Sequence, residues 1–309
     1  MKILLTSTSF QDTPGKHHDL LEKAGLEIDT LRGPVKTDVL LPIISQYDGV
    51  ICGDDEYTRS VIAEGKKGKL KVISKYGIGL DKIDLPAAKE LGIVVTNCPG
   101  VNHTTVAEHV FALLLSYVKH IPAEINHTRQ GEWKRYTGHE IFGKTMAIIG
   151  LGKIGKEVAK RATAFGLQVI GYDQYWDEDF ARQYQVEKAG SVEEILPQAD
   201  IISLHTDLNA NTRHIISAEK IKNHIKPGCI IINTARGELV ELDGLVWGLD
   251  NQVVKAYLTD VLEEEPMKPD HVLQKYPNVF ITPHIGSRTF ESVERQGSMA
   301  VENLLMHLK

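Results

Sequence analysis

The stretch Thr-Met-Ala-Ile-Ile-Gly-Leu-Gly-Lys-Ile-Gly at residues 145–155 decides the fold of this chain. Its first part, 146–149, is a continuous apolar run, which is typical of a strand buried on both faces of a parallel sheet. Residues 153–165 follow with apolar side chains at helical spacing. The stretch therefore predicts a strand, a tight glycine-rich turn and a helix, which together start a βαβ unit.

Three glycines in this turn have separate physical tasks. Gly150 permits the tight turn, Gly152 lets the backbone approach a pyrophosphate, and Gly155 lets the helix pack closely on the strand. The N–H groups at the helix N-terminus can bind phosphate, and the helix dipole adds to that attraction. The next strand, 169–172, ends at Asp173, whose carboxylate suits ribose hydroxyls and would repel a 2′-phosphate. Together these features predict a dinucleotide-binding site that prefers NAD to NADP. The alternative, a glycine-rich turn that binds no ligand, is less consistent with them.

Length and composition limit the classes of protein to which the chain can belong. At 309 residues it exceeds the size at which one hydrophobic core keeps growing, so we expect two domains. The net charge of −6 favours neither nucleic acid nor a membrane surface as partner, and the N-terminus lacks the apolar core of a signal peptide. The three cysteines, Cys52, Cys98 and Cys229, show no metal-ligand spacing, and such free thiols suit a reducing compartment. We therefore expect a cytoplasmic protein without a bound metal.

Short apolar runs alternate with helical patterns along most of the chain, which predicts an α/β fold with parallel sheets. The strand candidates are residues 3–5, 50–52, 70–73, 93–95, 146–149, 169–172, 201–204, 229–232, 254–258 and 279–281. A long helix is predicted from about residue 104 to a point before Pro122, with Val106, Val110, Leu113, Leu114 and Tyr117 on its apolar face. A last amphipathic helix is predicted to bury Phe290, Val293, Ala300, Val301, Leu304, Leu305 and Leu308.

Two turn-rich segments indicate where domains meet. The first is Thr96-Asn97-Cys98-Pro99-Gly100, directly after a strand candidate, and the second is Ile285-Gly286-Ser287. They predict one domain formed by residues 1–98 plus 285–309. The dinucleotide-binding domain, residues 99–284, would be inserted between those two pieces.

Three segments with polar or charged side chains each come at the end of a strand candidate or directly after one, at residues 232–237, 260–266 and 281–286. Because ligands of open α/β sheets bind beyond the carboxyl ends of the strands, one site can collect all three. Hydride transfer to a ketone needs a proton at the oxygen, which a histidine such as His284 can deliver. A carboxylate such as Glu265 would fix the tautomer of that ring, and the guanidinium of Arg236 can grip a substrate carboxylate. Taken singly, each has an ordinary alternative as a core histidine, a solvated glutamate or a surface ion pair.

The most informative motifs occur in one order along nearly the whole chain. They are Lys75-Tyr76-Gly77-Ile78-Gly79-Leu80-Asp81-Lys82-Ile83-Asp84, Pro99-Gly100-Val101-Asn102, Val106-Ala107-Glu108-His109, the glycine turn, Thr234-Ala235-Arg236-Gly237, Asp260-Val261 with Glu265-Pro266, and Thr282-Pro283-His284-Ile285-Gly286. In this combination the chain resembles the D-isomer-specific 2-hydroxyacid dehydrogenases, and most closely the phosphoglycerate dehydrogenase-like members that lack a C-terminal regulatory domain. The resemblance implies two Rossmann-like, doubly wound parallel-sheet domains with a cleft between them that holds the active site. It also implies a homodimer.

The resemblance implies a role for each matching residue. Arg236 would bind the substrate carboxylate, His284 would act as acid and base, and Glu265 would be the partner of His284. Substrate contacts are implied for Lys75, Tyr76, Gly77, Ile78, Gly79 and Asn102 in the domain of residues 1–98 plus 285–309 and its border. Contacts to NAD are implied for Gly150, Gly152, Lys153, Ile154, Gly155, Asp173, His205, Thr206, Thr234, Ala235, Arg236, Asp260, His284 and Gly286. The expected activity is hydride transfer between nicotinamide and C2 of a small D-2-hydroxy acid, such as a glyoxylate-like, hydroxypyruvate-like or sugar acid.

Some residues depart from the family pattern. Lys75 stands where the family often has arginine, Asp207 stands where proline is usual, and Arg288 adds a cation after the histidine motif. The segment Gly53-Asp54-Asp55-Glu56 occupies the place where phosphoglycerate dehydrogenases tend to carry a phosphate-binding arginine. If its three acids face the substrate rather than solvent, like-charge repulsion disfavours a phosphorylated substrate.

Two other functions remain open at the level of the sequence. D-3-phosphoglycerate oxidation is the alternative within the same chemistry, and an NAD(H)-sensing scaffold of the corepressor type is the alternative in another class. Formate enzymes that resemble this family typically have glutamine where Glu265 stands, so the glutamate disfavours formate. Since the chain ends at Lys309, we expect no serine-sensing regulatory domain.

Overall fold

The computed structural model describes residues 1–308, and these residues form two compact units. The first unit combines residues 1–102 with the segment from Ser287 onwards, and the second is the continuous stretch 103–286. The boundaries lie after Asn102 and Gly286, whereas the sequence analysis expected them after residues 98 and 284.

The first unit is built on a five-stranded parallel sheet with the order β2-β1-β3-β4-β5. Its strands are β1 (Lys2–Leu5), β2 (Glu27–Thr30), β3 (Gly49–Cys52), β4 (Val72–Lys75) and β5 (Val94–Thr96). Its helices are α1 (Thr8–Asp12), α2 (Lys16–Lys23), α3 (Thr37–Leu40), α4 (Arg59–Lys67), α5 (Leu85–Glu90) and α13 (Phe290–Leu308), with a 3-10 turn at Ile44–Gln46. Successive side chains of β1 enter different cores, because Leu4 packs on one face of the sheet while Ile3 and Leu5 pack on the other.

The second unit is built on a seven-stranded parallel sheet with the order β12-β11-β10-β9-β6-β7-β8. Its strands are β6 (Thr145–Ile149), β7 (Gln168–Tyr172), β8 (Val186–Lys188), β9 (Ile201–Leu204), β10 (Cys229–Asn233), β11 (Val254–Thr259) and β12 (Val279–Ile281). Its helices are α6 (His103–Val118), α7 (Ile121–Arg129), α8 (Lys153–Ala164), α9 (Glu178–Tyr184), α10 (Val192–Ile195), α11 (Ala218–Asn223) and α12 (Leu242–Asp250), with 3-10 turns at Gly237–Leu239 and Val272–Lys275. Here too both faces are covered, since Ile148 and Ile149 belong to separate buried cores.

The two parallel sheets confirm the predicted fold class, and the ten strand candidates all overlap observed strands. The sequence patterns missed β2 and β8. Both are edge strands with polar, largely exposed residues, so neither shows the continuous apolar run that marks a strand buried on both faces. The candidate at 70–73 is displaced, because the ladder begins only at Val72 and extends to Lys75.

The long and the last predicted helices are present as α6 and α13. Val106, Val110, Leu113 and Leu114 of α6 are buried, while Tyr117 is only partly so. In α13 the predicted apolar face is buried from Val293 to Leu308, with Leu305 partly covered. The prediction was wrong for Phe290, which begins the helix and is 69% exposed.

Three negative findings hold for residues 1–308. None of the helices there combines the length and the apolar character that a membrane crossing requires. No group of three or more histidine, cysteine, aspartate or glutamate side chains is arranged to hold a metal ion within that range. The three cysteines are buried free thiols.

The helix α13 offers a matched test of how the first unit is stabilised. Leu304 is fully buried against the sheet, whereas Met306 on the same helix is 68% exposed. We expect Leu304→Ala to lower the free energy of unfolding by about 2–5 kcal/mol through lost burial and a cavity. Met306→Ala should change it by less than about 0.5 kcal/mol. Urea unfolding followed by circular dichroism measures both, and equal effects would contradict this account of the core.

Candidate active site

The three polar segments singled out in the sequence follow three neighbouring strands of the second unit. Thr234, Ala235 and Arg236 follow β10, Asp260 follows β11, and the segment from Thr282 to Gly286 follows β12. The sheet order β12-β11-β10 places these strands side by side, and their parallel direction brings all three segments to one edge. That edge is where open α/β sheets bind ligands.

His284 and Glu265 form a hydrogen-bonded pair at this edge. Nδ1 of His284 lies 2.8 Å from Oε2 of Glu265, and the other carboxylate oxygen accepts the backbone N–H of Leu262 at 2.9 Å. About one third of each side chain is exposed, so the pair is held by protein on one side and open on the other. His284 has a φ of +52°, a left-handed conformation that costs a non-glycine residue about 1–3 kcal/mol. The surrounding hydrogen bonds must hold the loop in that shape.

Arg236 is positioned by a close approach of two backbone segments. Its carbonyl oxygen accepts a hydrogen bond of 2.8 Å from Nδ2 of Asn233, which is itself fully buried. The next residue is Gly237, where an added Cβ would lie 2.1 Å from the backbone nitrogen of Glu263. Only glycine permits this contact. It fixes the Arg236 loop directly against the loop that carries Glu265.

Asp260 ties these loops together through a carboxylate that is 2% exposed. One oxygen accepts the Thr282 hydroxyl at 2.5 Å and the Ile285 N–H at 2.9 Å, and the other accepts the Gly286 N–H at 2.7 Å. Burial alone would raise the pKa of this carboxyl group, but the hydrogen bonds, including one from His109, outweigh burial and hold the pKa below its usual value. Asp260 is therefore an anion that organises the loop around His284.

His109 of α6 is a neighbour of this site to which the sequence analysis assigned no role. Its Nε2 lies 2.9 Å from Oγ1 of Thr282 and 3.4 Å from the Asp260 carboxylate. The motif Val106-Ala107-Glu108-His109 marked the family resemblance, but helical spacing alone places a histidine beside an apolar face without indicating its partner. These contacts are visible only once α6 and the loop after β12 are seen together.

The glycine turn after β6 has the geometry that a pyrophosphate needs. Gly150 has a φ of +96°, and an added Cβ there would lie 2.7 Å from the backbone of His205. A Cβ on Gly155 would lie 1.9 Å from the carbonyl oxygen of Gly150, so the helix packs directly on the turn. Gly152 has no neighbour within 4 Å of its would-be Cβ, and no side chain caps α8, which begins at Lys153. The first turn of α8, with Lys153 and Ile154, is thus open to an anion.

Other predicted cofactor residues lie around this turn and along the same edge. Asp173, after β7, accepts the N–H of Leu151 at 2.6 Å and of Tyr175 at 2.7 Å. His205 bonds to Ser203 at 2.7 Å, and desolvation lowers its pKa to about 3, so the ring is neutral. Thr206 and Ala235 are partly buried. Thr234 has a buried hydroxyl with no hydrogen-bond partner among residues 1–308, which fits a site that a bound molecule completes.

The residues predicted to contact substrate belong to the first unit. Lys75 is almost fully buried, and its ammonium group donates to the Gly53 carbonyl and to Asp54, both at 2.6 Å. Burial raises the pKa of Tyr76, whose hydroxyl has no partner in the described part of the chain. The next residues, Gly77, Ile78 and Gly79, form a turn with a φ of +122° at Gly77 and with the Ile78 carbonyl bound to Asn97. Asn102 is buried at the end of this unit.

Residues 111–286 match the family described as D-isomer specific 2-hydroxyacid dehydrogenase, NAD binding domain. The chain is 38% identical over 296 residues to the hydroxypyruvate reductase of Thermotoga maritima, covering 94% of this chain and 93% of that protein. The chain belongs to the D-isomer specific 2-hydroxyacid dehydrogenase family. This confirms the predicted family and the predicted cofactor, NAD.

Two further relatives show how broad the match is. The D-3-phosphoglycerate dehydrogenase of Methanocaldococcus jannaschii is 39% identical over 306 residues, which are 98% of this chain but only 57% of that protein. The crystal structure of the TT0316 protein from Thermus thermophilus superposes with a TM-score of 0.86 at 37% identity, covering 99% of this chain and 96% of that one. The chain thus spans little more than half of one relative and nearly all of another.

The acidic side chains of the segment Gly53-Asp54-Asp55-Glu56 each have a partner within the protein. Asp55 is fully buried and accepts the Thr6 hydroxyl and the Val35 N–H, and burial raises its pKa. Glu56 binds Lys36 at 2.9 Å, and Asp54 binds Lys75. Burial therefore removes Asp55 from the acids that could repel a substrate phosphate. Asp54 and Glu56 stay accessible, with side chains 42% and 32% exposed, and each is paired with a lysine.

Proposed function

We propose that this protein is an NAD-dependent oxidoreductase that transfers a hydride between nicotinamide and C2 of a small D-2-hydroxy acid or its 2-oxo acid. The observation that carries the proposal is the His284–Glu265 pair, 2.8 Å apart, beside the loop of Arg236. Every relative named above whose name states an activity is a dehydrogenase or a reductase. A non-enzymatic scaffold is not favoured.

His284 would exchange the proton of the substrate hydroxyl. Because Glu265 holds Nδ1, the second ring nitrogen, Nε2, is the one that would give a proton to the C2 oxygen during reduction and take it back during oxidation. When bound, NAD supplies or accepts the hydride at C4 of its nicotinamide ring. One proton and one hydride therefore enter the 2-oxo acid together, and the product carries a hydroxyl at C2.

Arg236 would hold the substrate carboxylate and orient the carbonyl beside it. A planar, permanently charged guanidinium offers two parallel donors to a carboxylate, which lysine cannot match. In the first unit, we assign substrate binding to the amides of Gly77, Ile78 and Gly79. Lys75 would act indirectly, since its ammonium group is committed to Gly53 and Asp54.

The residues that would hold NAD are assigned from the uncapped N-terminus of α8 and from the buried hydroxyl of Thr234. The pyrophosphate would lie against Gly152, Lys153 and Ile154 at the start of α8. Asp173 would bind the adenine ribose near His205 and Thr206. Thr234 and Ala235, with Asp260 and Gly286, would surround the nicotinamide amide.

We propose a substrate without a phosphate, such as glyoxylate, hydroxypyruvate or a sugar acid, because the loop Gly53-Asp54-Asp55-Glu56 carries acids where a phosphate-binding arginine is expected. D-3-phosphoglycerate is the second candidate, and the name of the Methanocaldococcus jannaschii relative favours it. Oxidation of NADH in the presence of each 2-oxo acid, including phosphohydroxypyruvate, tests the proposal. Absence of turnover with all of them would overturn the enzymatic function. A kcat/KM highest for phosphohydroxypyruvate would favour the second candidate.

The pairing of His284 with Glu265 predicts a change in the pH dependence. Glu265→Gln keeps the hydrogen bond to Nδ1 but removes the negative charge that favours a protonated ring. Since reduction uses the protonated ring, its rate should begin to fall at a lower pH than in the unaltered protein. The pH profile of kcat/KM for 2-oxo acid reduction measures this shift. Two superimposable profiles would rule out the proposed pairing.

The carboxylate of Asp173 predicts a preference for NADH. We expect kcat/KM for NADH to exceed that for NADPH by about ten-fold or more, because a 2′-phosphate would meet the negative charge. Asp173→Asn keeps an acceptor for the N–H groups of Leu151 and Tyr175 but removes the charge, so the preference should shrink. Steady-state kinetics with both cofactors decide the matter. An unaltered protein that uses NADPH equally well contradicts the assignment.

We further propose a cytoplasmic homodimer formed through the second unit. Two of the most exposed apolar side chains lie in the segment 121–142, Trp133 at 79% and Phe142 at 76%. Exposed apolar surface of this kind marks a protein interface, and a second copy of the chain is the occupant we propose. The buried free thiols suit the reducing cytoplasm.

Light scattering tests the dimer directly. We expect a mass of twice 34.4 kDa for the unaltered protein. Trp133→Asp places a charge in the proposed interface and should shift the mass towards the monomer. Tyr175→Asp alters another highly exposed aromatic residue, outside that segment, and should leave the mass unchanged. A monomer at all concentrations would contradict the proposal.

A further inference from the structure

His109 is a partly buried polar residue of α6 that the proposed chemistry does not use. Its side chain is 16% exposed, and it contacts the two residues that shape the loop of His284, namely Thr282 and Asp260. We propose that His109 is a positioning residue, which donates a hydrogen bond to Thr282 and so locks the loop 282–286 in the conformation that presents His284. The proposal rests on the proposed function, since it gives His284 the role of acid and base.

The direction of each hydrogen bond follows from counting donors. The Thr282 hydroxyl has one proton and lies 2.5 Å from Oδ1 of Asp260, which is ionised and can only accept. The proton therefore points to Asp260. The Thr282 oxygen must then accept from its other neighbour, Nε2 of His109 at 2.9 Å. Nε2 of His109 consequently carries a proton, and the hydrogen bonds run in one direction from His109 through Thr282 to Asp260.

Asp260, at the end of this chain of hydrogen bonds, contacts residues on both sides of His284. Asp260 receives the Thr282 hydroxyl before the histidine and the N–H groups of Ile285 and Gly286 after it. The backbone N–H of His284 itself donates to the Asp260 carbonyl at 2.9 Å. The left-handed conformation of His284 is thus enforced by contacts on either side. Loss of the first donor would release one side of the loop.

The ring N–H of His109 has a second effect on the same carboxylate. Asp260 is almost fully buried, and Nε2 of His109 lies 3.4 Å from its Oδ1. A buried carboxylate needs compensating donors, and a ring N–H beside it supplies part of that compensation. An aliphatic residue at this position would serve equally well if α6 only packed against the sheet. The polar contacts distinguish the two roles.

The test compares two replacements of His109 that differ in one property. His109→Gln offers an amide N–H close to the place of Nε2, whereas His109→Leu fills a similar volume with no donor. We expect His109→Leu to lower kcat by about 10- to 100-fold, because small misplacements of a catalytic group have effects of that order. His109→Gln should stay within about three-fold of the unaltered protein, since the donor is kept. Glu108→Gln, at a neighbouring position that is 64% exposed, controls for changes to α6 itself.

Three readouts separate positioning from general structural support. The rate of 2-oxo acid reduction should begin to fall at lower pH in His109→Leu, because a displaced His284 loses part of its contact with Glu265. The dissociation constant of NADH, measured by fluorescence, should change by a smaller factor than kcat, because the glycine turn and Asp173 are untouched and only the nicotinamide contacts assigned to Asp260 and Gly286 adjoin the released loop. Amide hydrogen exchange at Ile285 and Gly286 should accelerate in His109→Leu and stay slow in His109→Gln. This exchange readout needs no turnover.

The possible failures are distinguishable. Normal kcat, pH profile and exchange in His109→Leu would overturn the role of His109. Equal losses in both variants would also overturn it, because the shape of the side chain would then matter and the donor would not. An unaltered protein that reduces no 2-oxo acid would overturn the proposed function instead, while the exchange experiment would still decide whether His109 holds the loop.

Discussion

The buried carboxylate of Asp260 is the interaction on which the geometry of the second unit's ligand edge depends. The backbone N–H of Asp260 donates to the carbonyl of Asn233 at the end of β10, and its carboxylate accepts hydrogen bonds from the loop that follows β12. Three neighbouring strands are therefore joined at their carboxyl ends by one residue. A charge in this place would be costly if its oxygens were not filled with donors. The loop supplies those donors, and the charge in turn shapes the loop.

Close backbone contacts at glycine residues provide the other constraint. At Gly155 the start of α8 touches the turn at Gly150, and at Gly237 the Arg236 loop touches Leu262 and Glu263. In both places a side chain would push apart two backbone segments that now touch. Asp260 fixes the histidine side of the site, and Gly237 fixes the arginine side. The site is therefore held by backbone packing and by the side-chain hydrogen bonds that converge on one buried anion.

The sequence was sufficient for the features that depend on local patterns. Continuous apolar runs located the central strands, and the spacing of Gly150, Gly152 and Gly155 located the turn before α8. The edge strands β2 and β8 were missed because an exposed strand resembles a polar loop. Phe290 was placed in the core because a helical pattern does not show where the neighbouring sheet ends.

The contacts that bring distant segments together were beyond the sequence. His109 and Thr282 are 173 positions apart, and nothing in either motif indicates that their side chains meet. The acids at Asp55 and Glu56 were interpreted as one patch with Asp54, yet each has its own partner. Asp55 reaches Thr6 and Val35 because the loops after β1, β2 and β3 converge. Resemblance to a family supplied the roles of Arg236, Glu265 and His284, and the fold supplied their neighbours.

The first unit consists of two separate pieces of the chain, and this affects how the protein folds during synthesis. The core that covers Ile3, Ile51 and Val72 is completed by Val301 and Leu304 of α13. During synthesis, one apolar face of the five-stranded sheet therefore stays uncovered until α13 has been translated. The second unit is continuous in sequence and can fold before its host. The core of the first unit can thus be completed only after the second unit, which is encoded in between, has been synthesised.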